Sequence, residues 1–350
     1  MEKLFPPSAV SFVCLVLLEL SARSVEADPL GLVLPTDNNA IFSSDPSKFY
    51  MYTNRNFEGV TSKAWDGGKY GFFRNQKRTE IGVIGTRFHE GIDIRPVHRD
   101  KAGNPLDEVR SIARGTVVYI NNTPSRSNYG RYLVVHHDWG NGPFFSLYAH
   151  LSATIAKTGQ RVRAGETIAK MGYTGRGIDR TRAHCHVELN MLLSDRFQKW
   201  YDRHYKSLNY HGIYNGFNLI GMDIAGLFQV HRANPDITIP TYLAETAEPY
   251  YKVTVPKNGR LEIVRRYPWL EHDSRGNLGA KSWEFTFART GVPLEVKASK
   301  RSLKYPAVTW VKPSRTNHSY LTAGRISGTG SRASLTASGS RYIQLISGAF

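Results

Sequence analysis

The sequence predicts a mainly β protein made of two β-rich domains, and three observations carry that reading. Glycine (31 residues) and proline (17) are frequent, as in a loop-rich chain of short strands rather than a helical bundle. From about Ile81 to Leu193, short β-branched runs alternate with glycine turns at hairpin spacing: GTVVYI, RYLVVHH, FFSLYAH, ETIAKMG and HCHVELN. Beyond a proline-bearing break at Asn234–Pro240, the runs YYKVTV, RLEIVRRY, WEFTFA, LEVKAS and YIQLIS repeat the signal and predict a β-sandwich-like domain over 240–350. A chain of 350 residues with 41% hydrophobic content can fill two cores, which excludes a disordered or fibrous protein.

The elements follow in order. Lys3, an apolar run over Ala9–Leu18 and small residues ending at Ala27 read as a secretory signal over 1–27. Pro6, Pro7 and Glu19 keep that run well short of the roughly 20 apolar residues of a membrane span, so no stable membrane anchor is expected after cleavage. Residues 28–78 are polar and turn-rich and predict an extended arm lying over the next domain. The first β domain covers 79–233, with its core at 81–193. ARGTVVYI (113–120) and RAGETIAKMG (163–172) each place a glycine turn before a strand, a weak internal duplication. A helical and loop appendage over 194–227 begins with Ser194 as a cap, and Phe197, Trp200, Tyr201 and Tyr205 form a stripe that packs on the sheet. The tail GTGSRASLTASGSR reads as a loop.

Charge and cysteine content narrow the chemistry. Lys and Arg number 46 against 29 Asp and Glu, a formal charge of +17, with 17 against 7 in residues 241–350. That balance favours an anionic partner. Export points to a cell-wall polymer in the periplasm or outside the cell, not to nucleic acid. Cys14 lies in the signal, which leaves Cys185 without a partner for a disulfide or a multi-cysteine metal site. Any metal must therefore be held by histidine and carboxylate.

The residues for such a site are present. FHEGIDI sets His89 and Asp93 four apart around Gly91. In HCHVE, strand alternation sends His184, His186 and Glu188 to one face, and Cys185 and Val187 to the other. Side chains two apart on a strand stand about 6.5–7 Å from one another, so one imidazole can bind a metal while the next reaches a substrate. His150 ends the strand FFSLYAH and can approach the same face. Two histidines, a carboxylate and an open position describe a catalytic zinc site. Zinc there lowers the pKa of a water towards about 7 and polarises a carbonyl, and further histidines can take and return protons. His136 and His137, at a strand end, read as structural.

The stretch His89–Glu188 resembles the lysostaphin/LytM-type zinc endopeptidases. It carries H-x-G-x-D (His89 to Asp93), G-x-V (Gly115 to Val117) and Y-x-H-L-S (Tyr148 to Ser152). It carries G-Q-x-V-x-x-G-x-x-I (Gly159 to Ile168), G-x-T-G (Gly172 to Gly175) and H-x-H-x-E (His184 to Glu188). The resemblance implies an antiparallel, barrel-sandwich-hybrid-like fold and one zinc per chain, with His89, Asp93 and His186 as ligands. It implies catalytic roles for His150 and His184, and support of a ligand ring by Glu188. It implies an exported metalloendopeptidase that hydrolyses peptide cross-links of bacterial peptidoglycan. A non-catalytic activator of other wall hydrolases, and an endopeptidase acting on Gly-rich proteins, are the alternatives. Cys185 stands where such enzymes often have leucine, the spacer over 99–109 is long, and the appendage over 194–227 can restrict the groove. An arm asparagine (Asn54, Asn56 or Asn75) is a candidate to latch across the metal.

Overall fold

The computed structural model describes residues 28–259, 261–272 and 279–350; the expected secretory signal, 1–27, lies outside the described residues. The arm and its junction form β1 (Thr53–Phe57), β2 (Val60–Ala64), β3 (Gly71–Thr79) and β4 (Gly82–His89). Next come β5 (Ile92–Ile94), β6 (Glu108–Arg110), β7 (Gly115–Asn121), β8 (Arg131–Asp138) and β9 (Pro143–Leu151). Then follow β10 (Ala153–Thr154), β11 (Arg161–Val162), β12 (Thr167–Lys170), β13 (Cys185–Leu192) and β14 (Leu219–Met222). The protein is mainly β with antiparallel sheets, as the strand signals predict.

The large sheet runs β11-β7-β8-β9-β13-β14. One edge of β13 pairs with β9, and the other pairs first with β5 and then with β14, all antiparallel. Every residue of β13 is buried. Cys185, Val187, Leu189 and Met191 enter the main core with Ile92, Val135 and Tyr148, while His186, Glu188 and Asn190 take the opposite face. That second face carries a smaller cluster of Tyr132, Val134, Phe145, Leu147 and Ala149. A strand buried on both sides admits polar side chains only where they bond to one another, and here they do.

The arm is less extended than its composition suggests. It forms the hairpin β1–β2 and the first strand of the hairpin β3–β4, so the expected 78/79 boundary falls within a hairpin. Its residues 49–51 close the edge of β5: the Met51 amide donates to the Asp93 carbonyl, and the Arg95 amide to that of Phe49. An edge strand is thereby paired instead of being left open.

Between β13 and β14 lies α1 (Phe197–His204), and after β14 the chain forms α2 (Ile224–Ala233) and α3 (Ile239–Thr246). The C-terminal region contains β15 (Pro249–Pro256), α4 (Glu262–Arg266), β16 (Glu271–His272), β17 (Ser282–Ala288), β18 (Pro293–Ser299) and β19 (Ala307–Val311). β20 (Ile326–Ser327), β21 (Ser334–Leu335) and α5 (Ala337–Ser347) complete it. Five of these strands make one sheet, β16-β18-β17-β15-β19, and β20 pairs with β21 alone, where a sandwich-like pair of sheets was expected. Two runs expected as strands are helices. RLEIVRRY holds α4, since Ile263, Val264 and Tyr267 are buried at helical spacing. YIQLIS lies in α5, which Thr336 caps through the Gly339 amide and Gly348 stops at φ 69°. A helix and a second sheet offer the same apolar cover to a sheet, so the short runs did not distinguish them.

The two β regions share one continuous core. Gly142, in the turn between β8 and β9, lies so close to the Arg266 carbonyl that a Cβ would meet it at 2.5 Å. Beside it the Tyr267 hydroxyl donates to the Pro143 carbonyl (2.7 Å) and accepts from the Leu192 amide (2.8 Å). Replacing Tyr267 by Phe strands that buried amide and is expected to cost about 1–3 kcal/mol. A lower denaturant midpoint would register the loss, and an unchanged one would mean that the junction does not contribute to stability.

Candidate metal centre

His89 and Asp93 sit on either side of the turn from β4 into β5. Gly91 makes the turn possible, because a Cβ there would meet the Val187 carbonyl at 2.4 Å and the His186 ring at 3.0 Å. The antiparallel register sets Asp93 directly opposite His186, and His186 opposite Ala149 on β9, one residue before His150. His184 precedes β13 and bridges to Gly172. His150 holds φ 60°, an uncommon conformation for a residue with a side chain; its amide donates to the Tyr129 carbonyl.

The hydrogen bonds assign the ring nitrogens. Nδ1 of His89 faces the Lys69 carbonyl at 2.8 Å, Nδ1 of His150 the Thr174 carbonyl at 2.8 Å, and Nδ1 of His184 the Arg182 carbonyl at 2.6 Å. A carbonyl only accepts, so these nitrogens carry the protons and each Nε2 is left as a lone pair. His186 is turned the other way: its Nε2–H donates to Glu188 Oε1 at 2.8 Å, and its Nδ1 points to Asp93. Glu188 is itself held by the Tyr129 hydroxyl (2.7 Å) and the Asn190 amide (2.8 Å).

Three donor atoms thus converge. His186 Nδ1 lies 2.9 Å from Asp93 Oδ1 and 3.1 Å from His89 Nε2, and His89 Nε2 lies 3.2 Å from Asp93 Oδ1. Ligand atoms about 2.0–2.1 Å from a tetrahedral ion stand about 3.3 Å apart, so the spacing and the His, His, carboxylate composition both fit such an ion. His184 Nε2 is 3.4 Å from Asp93 Oδ1, and the His150 ring centre is 4.7 Å from that of His184 and 5.9 Å from that of His186. Glu90 forms a second possible ligand group with His186 and Glu188.

Electrostatics show a pocket that requires positive charge. Burial alone would push His186 down, but its bonds to Asp93 and Glu188 carry it up to about 10. Asp93 falls well below the carboxylate range despite its burial, because His89, His184 and Arg74 surround it. Burial, together with His184 and His186, keeps His150 well below the ordinary histidine value. An ion bound by these donors must displace the proton of His186.

All six residues singled out in the sequence, His89, Asp93, His150, His184, His186 and Glu188, meet here. Two others were missed. Tyr129 orients Glu188 from the loop before β8, where no sequence pattern marks it. Arg74 of β3 reaches Asp93 Oδ2 at 2.5 Å while its Nε donates to the Gly67 carbonyl. The arm therefore contacts the centre through an arginine; Asn54, Asn56 and Asn75 line the adjoining cavity. The appendage contributes Leu208, Tyr210 and Phe217 to a wall of a larger cleft of about 1000 Å³, which also includes Tyr129 and Glu90. Cys185 is wholly buried on the opposite face, and burial raises its thiol far above the ordinary value, so it is not a reactive thiol.

Comparison with known proteins matches residues 87–197 to the profile of Peptidase family M23. The chain is 33% identical over 76 residues to lipoprotein NlpD of Yersinia enterocolitica, covering 22% of this chain and 73% of that protein. It is 33% identical over 99 residues to the murein hydrolase activator NlpD of Escherichia coli, 28% of this chain and 22% of that one. The catalytic domain of the antimicrobial peptidase lysostaphin from Staphylococcus simulans aligns at 22% identity and a TM-score of 0.25, over 39% of this chain and 79% of that domain. The chain spans under a third of the length of most curated relatives it matches.

His137, set aside as structural, lies outside the centre. Its Nδ1 donates to the Arg114 carbonyl and its Nε2 pairs with Ser146 Oγ, both at 2.7 Å, and burial depresses it to about 4. The unfolded chain then binds the extra proton first as pH falls from about 6.5 to about 4. Stability present above that window is lost within it, by about 3 kcal/mol if the whole shift is realised. Denaturant midpoints measured against pH are expected to be flatter across the window in His137→Gln than in the parent; parallel curves would exclude the assignment.

Proposed function

We propose, since the chain belongs to peptidase family M23, that it is an exported zinc metalloendopeptidase that hydrolyses peptide cross-links of bacterial peptidoglycan. The observation that carries the proposal is the convergence of three ligand-type atoms, His89 Nε2, Asp93 Oδ1 and His186 Nδ1, at tetrahedral spacing beside two further histidines, His150 and His184. Zinc held by His89, Asp93 and His186 would supply Lewis acidity, lowering the pKa of a water and polarising the scissile carbonyl.

The chain's own residues do the rest. Glu188, held by Tyr129 and Asn190, fixes the His186 ring and keeps its Nδ1 turned inward. Arg74 occupies Asp93 Oδ2 and so commits Oδ1 to the centre. His150 and His184, each anchored through Nδ1 on a backbone carbonyl, present Nε2 to the reacting groups. One takes a proton from the attacking water, and the other donates to the carbonyl oxygen or the leaving nitrogen. Burial and the neighbouring histidines hold His150 well below the ordinary histidine value, so its ring is uncharged near neutral pH and can accept a proton. A formal charge of +17 supports an anionic wall polymer as the setting.

A second reading, a non-catalytic activator of wall hydrolases, is favoured by the name of the Escherichia coli relative. Purified sacculi distinguish the two. Under the endopeptidase reading, the zinc-loaded chain releases uncross-linked peptides, and a chelator stops the release. Asp93→Ala and His186→Ala are expected to lose bound zinc. His184→Ala is expected to keep zinc while turnover falls about 10²–10⁴-fold. Full turnover in His184→Ala removes its assigned role; zinc binding without release, but with stimulation of another hydrolase, establishes the activator.

A further inference from the structure

Beside the candidate metal centre, on the arm side, lies a cavity of about 530 Å³ lined by Arg55, Arg74, Arg87, Arg176 and Arg182. Among the described residues no Asp or Glu lines it. The arginines come from separate parts of the chain: β1, β3, β4 and the loop before β13. Two of them are neutralised, Arg55 by Asp66 at 2.7 Å and Arg74 by Asp93 at 2.5 Å. Among the described residues Arg182 reaches only backbone carbonyls, those of Tyr52 and Gly177, both at 3.4 Å. Arg87 and Arg176 have no carboxylate within ion-pair distance among the described residues and are exposed.

We propose that this cavity is a carboxylate-binding subsite, which seats an anionic segment of the peptide next to the bond that is cut. The inference rests on the endopeptidase reading and adds to it the charge of the substrate. Like charges brought together without counter-charge repel, and an anion relieves that repulsion. Guanidinium groups match carboxylates in bidentate geometry, and the side chains of Asn54, Asn56 and Asn75 add neutral donors around them. Position gives the link to the reaction. Arg74 lines the cavity and also touches Asp93, so an anion seated there lies one side chain from the centre. Arg87 and Arg176 line both this cavity and the cleft walled by Tyr129 and Phe217, which makes the two one groove passing the centre. One half of the groove is cationic, and the other adds aromatic rings to the shared arginines. An extended nucleic acid would need a longer track of positive charge than this confined cavity provides.

The probe is a labelled, uncross-linked peptidoglycan stem peptide with free carboxyl groups, compared with the same peptide fully amidated; neither contains a cross-link to cut. Fluorescence anisotropy with the zinc-loaded chain is expected to show the acid form binding at least about tenfold more tightly at low salt, with the difference shrinking as salt rises. In Arg87→Gln/Arg182→Gln, with zinc content and melting temperature matching the parent, the difference is expected to fall below about threefold. Equal binding of acid and amide by the parent overturns the proposal, as does a preference that survives the double substitution. Equal peptide binding together with arginine-dependent capture of a single-stranded oligonucleotide overturns it in favour of a nucleic-acid surface. Turnover is read separately on a cross-linked dimer. If the dimer stays intact while the acid preference holds and depends on the arginines, the subsite stands and the endopeptidase reading fails.

Discussion

The centre is organised around the burial of the Asp93 carboxylate. Asp93 is 3% exposed, and an ionised carboxylate removed from water is costly unless charge and hydrogen bonds surround it. Three imidazoles crowd Oδ1, and Arg74 takes Oδ2. Each compensating group has to be positioned by something else. β13 carries His186 across from Asp93, Gly91 allows the close turn that carries His89, and the arm brings Arg74. The Met51 amide on the Asp93 carbonyl ties the same arm to the strand that bears the carboxylate. The arm is thus part of the centre's electrostatics as well as cover for a sheet edge.

Orientation follows from a second layer of contacts. Every histidine of the cluster has its outward nitrogen occupied by a carbonyl or a carboxylate, so its inward nitrogen has no choice of tautomer. The layer includes a chain of buried polar groups, from Tyr129 and Asn190 through Glu188 to His186, in which both carboxylate oxygens of Glu188 have donors. Held on both oxygens, the carboxylate fixes the His186 ring it accepts from. The positively charged His186, held between two carboxylates, marks the place where the pocket asks for a cation.

The groove beside the centre is asymmetric for reasons that lie outside the matched region, residues 87–197. The arm supplies Arg55 and Arg74, and the appendage supplies Leu208, Tyr210 and Phe217. Both additions wall the same channel, so the parts of the chain that differ from the shared domain are the parts that shape what enters it. Among the described residues none of the C-terminal region lines either cavity; the segment after α4 instead contacts the large sheet through Tyr267, Trp269 and the tight turn at Gly142.

The sequence alone settled which residues form the cluster. Strand alternation is a property of the backbone, so HCHVE had to send His184, His186 and Glu188 one way and Cys185 the other, and β13 does so. That Gly91 is the point of close approach to the Val187 carbonyl became visible only in the fold. Local pattern did not reveal α4 and α5, because apolar runs that short satisfy a strand and a helical turn alike until the element they cover is known. Nor did it reveal Arg74, Tyr129 or the arginine-lined cavity. Those groups lie far apart in the chain, in segments with no period of their own, and only the folding of the arm against the sheet brings their charges and hydroxyl to one place.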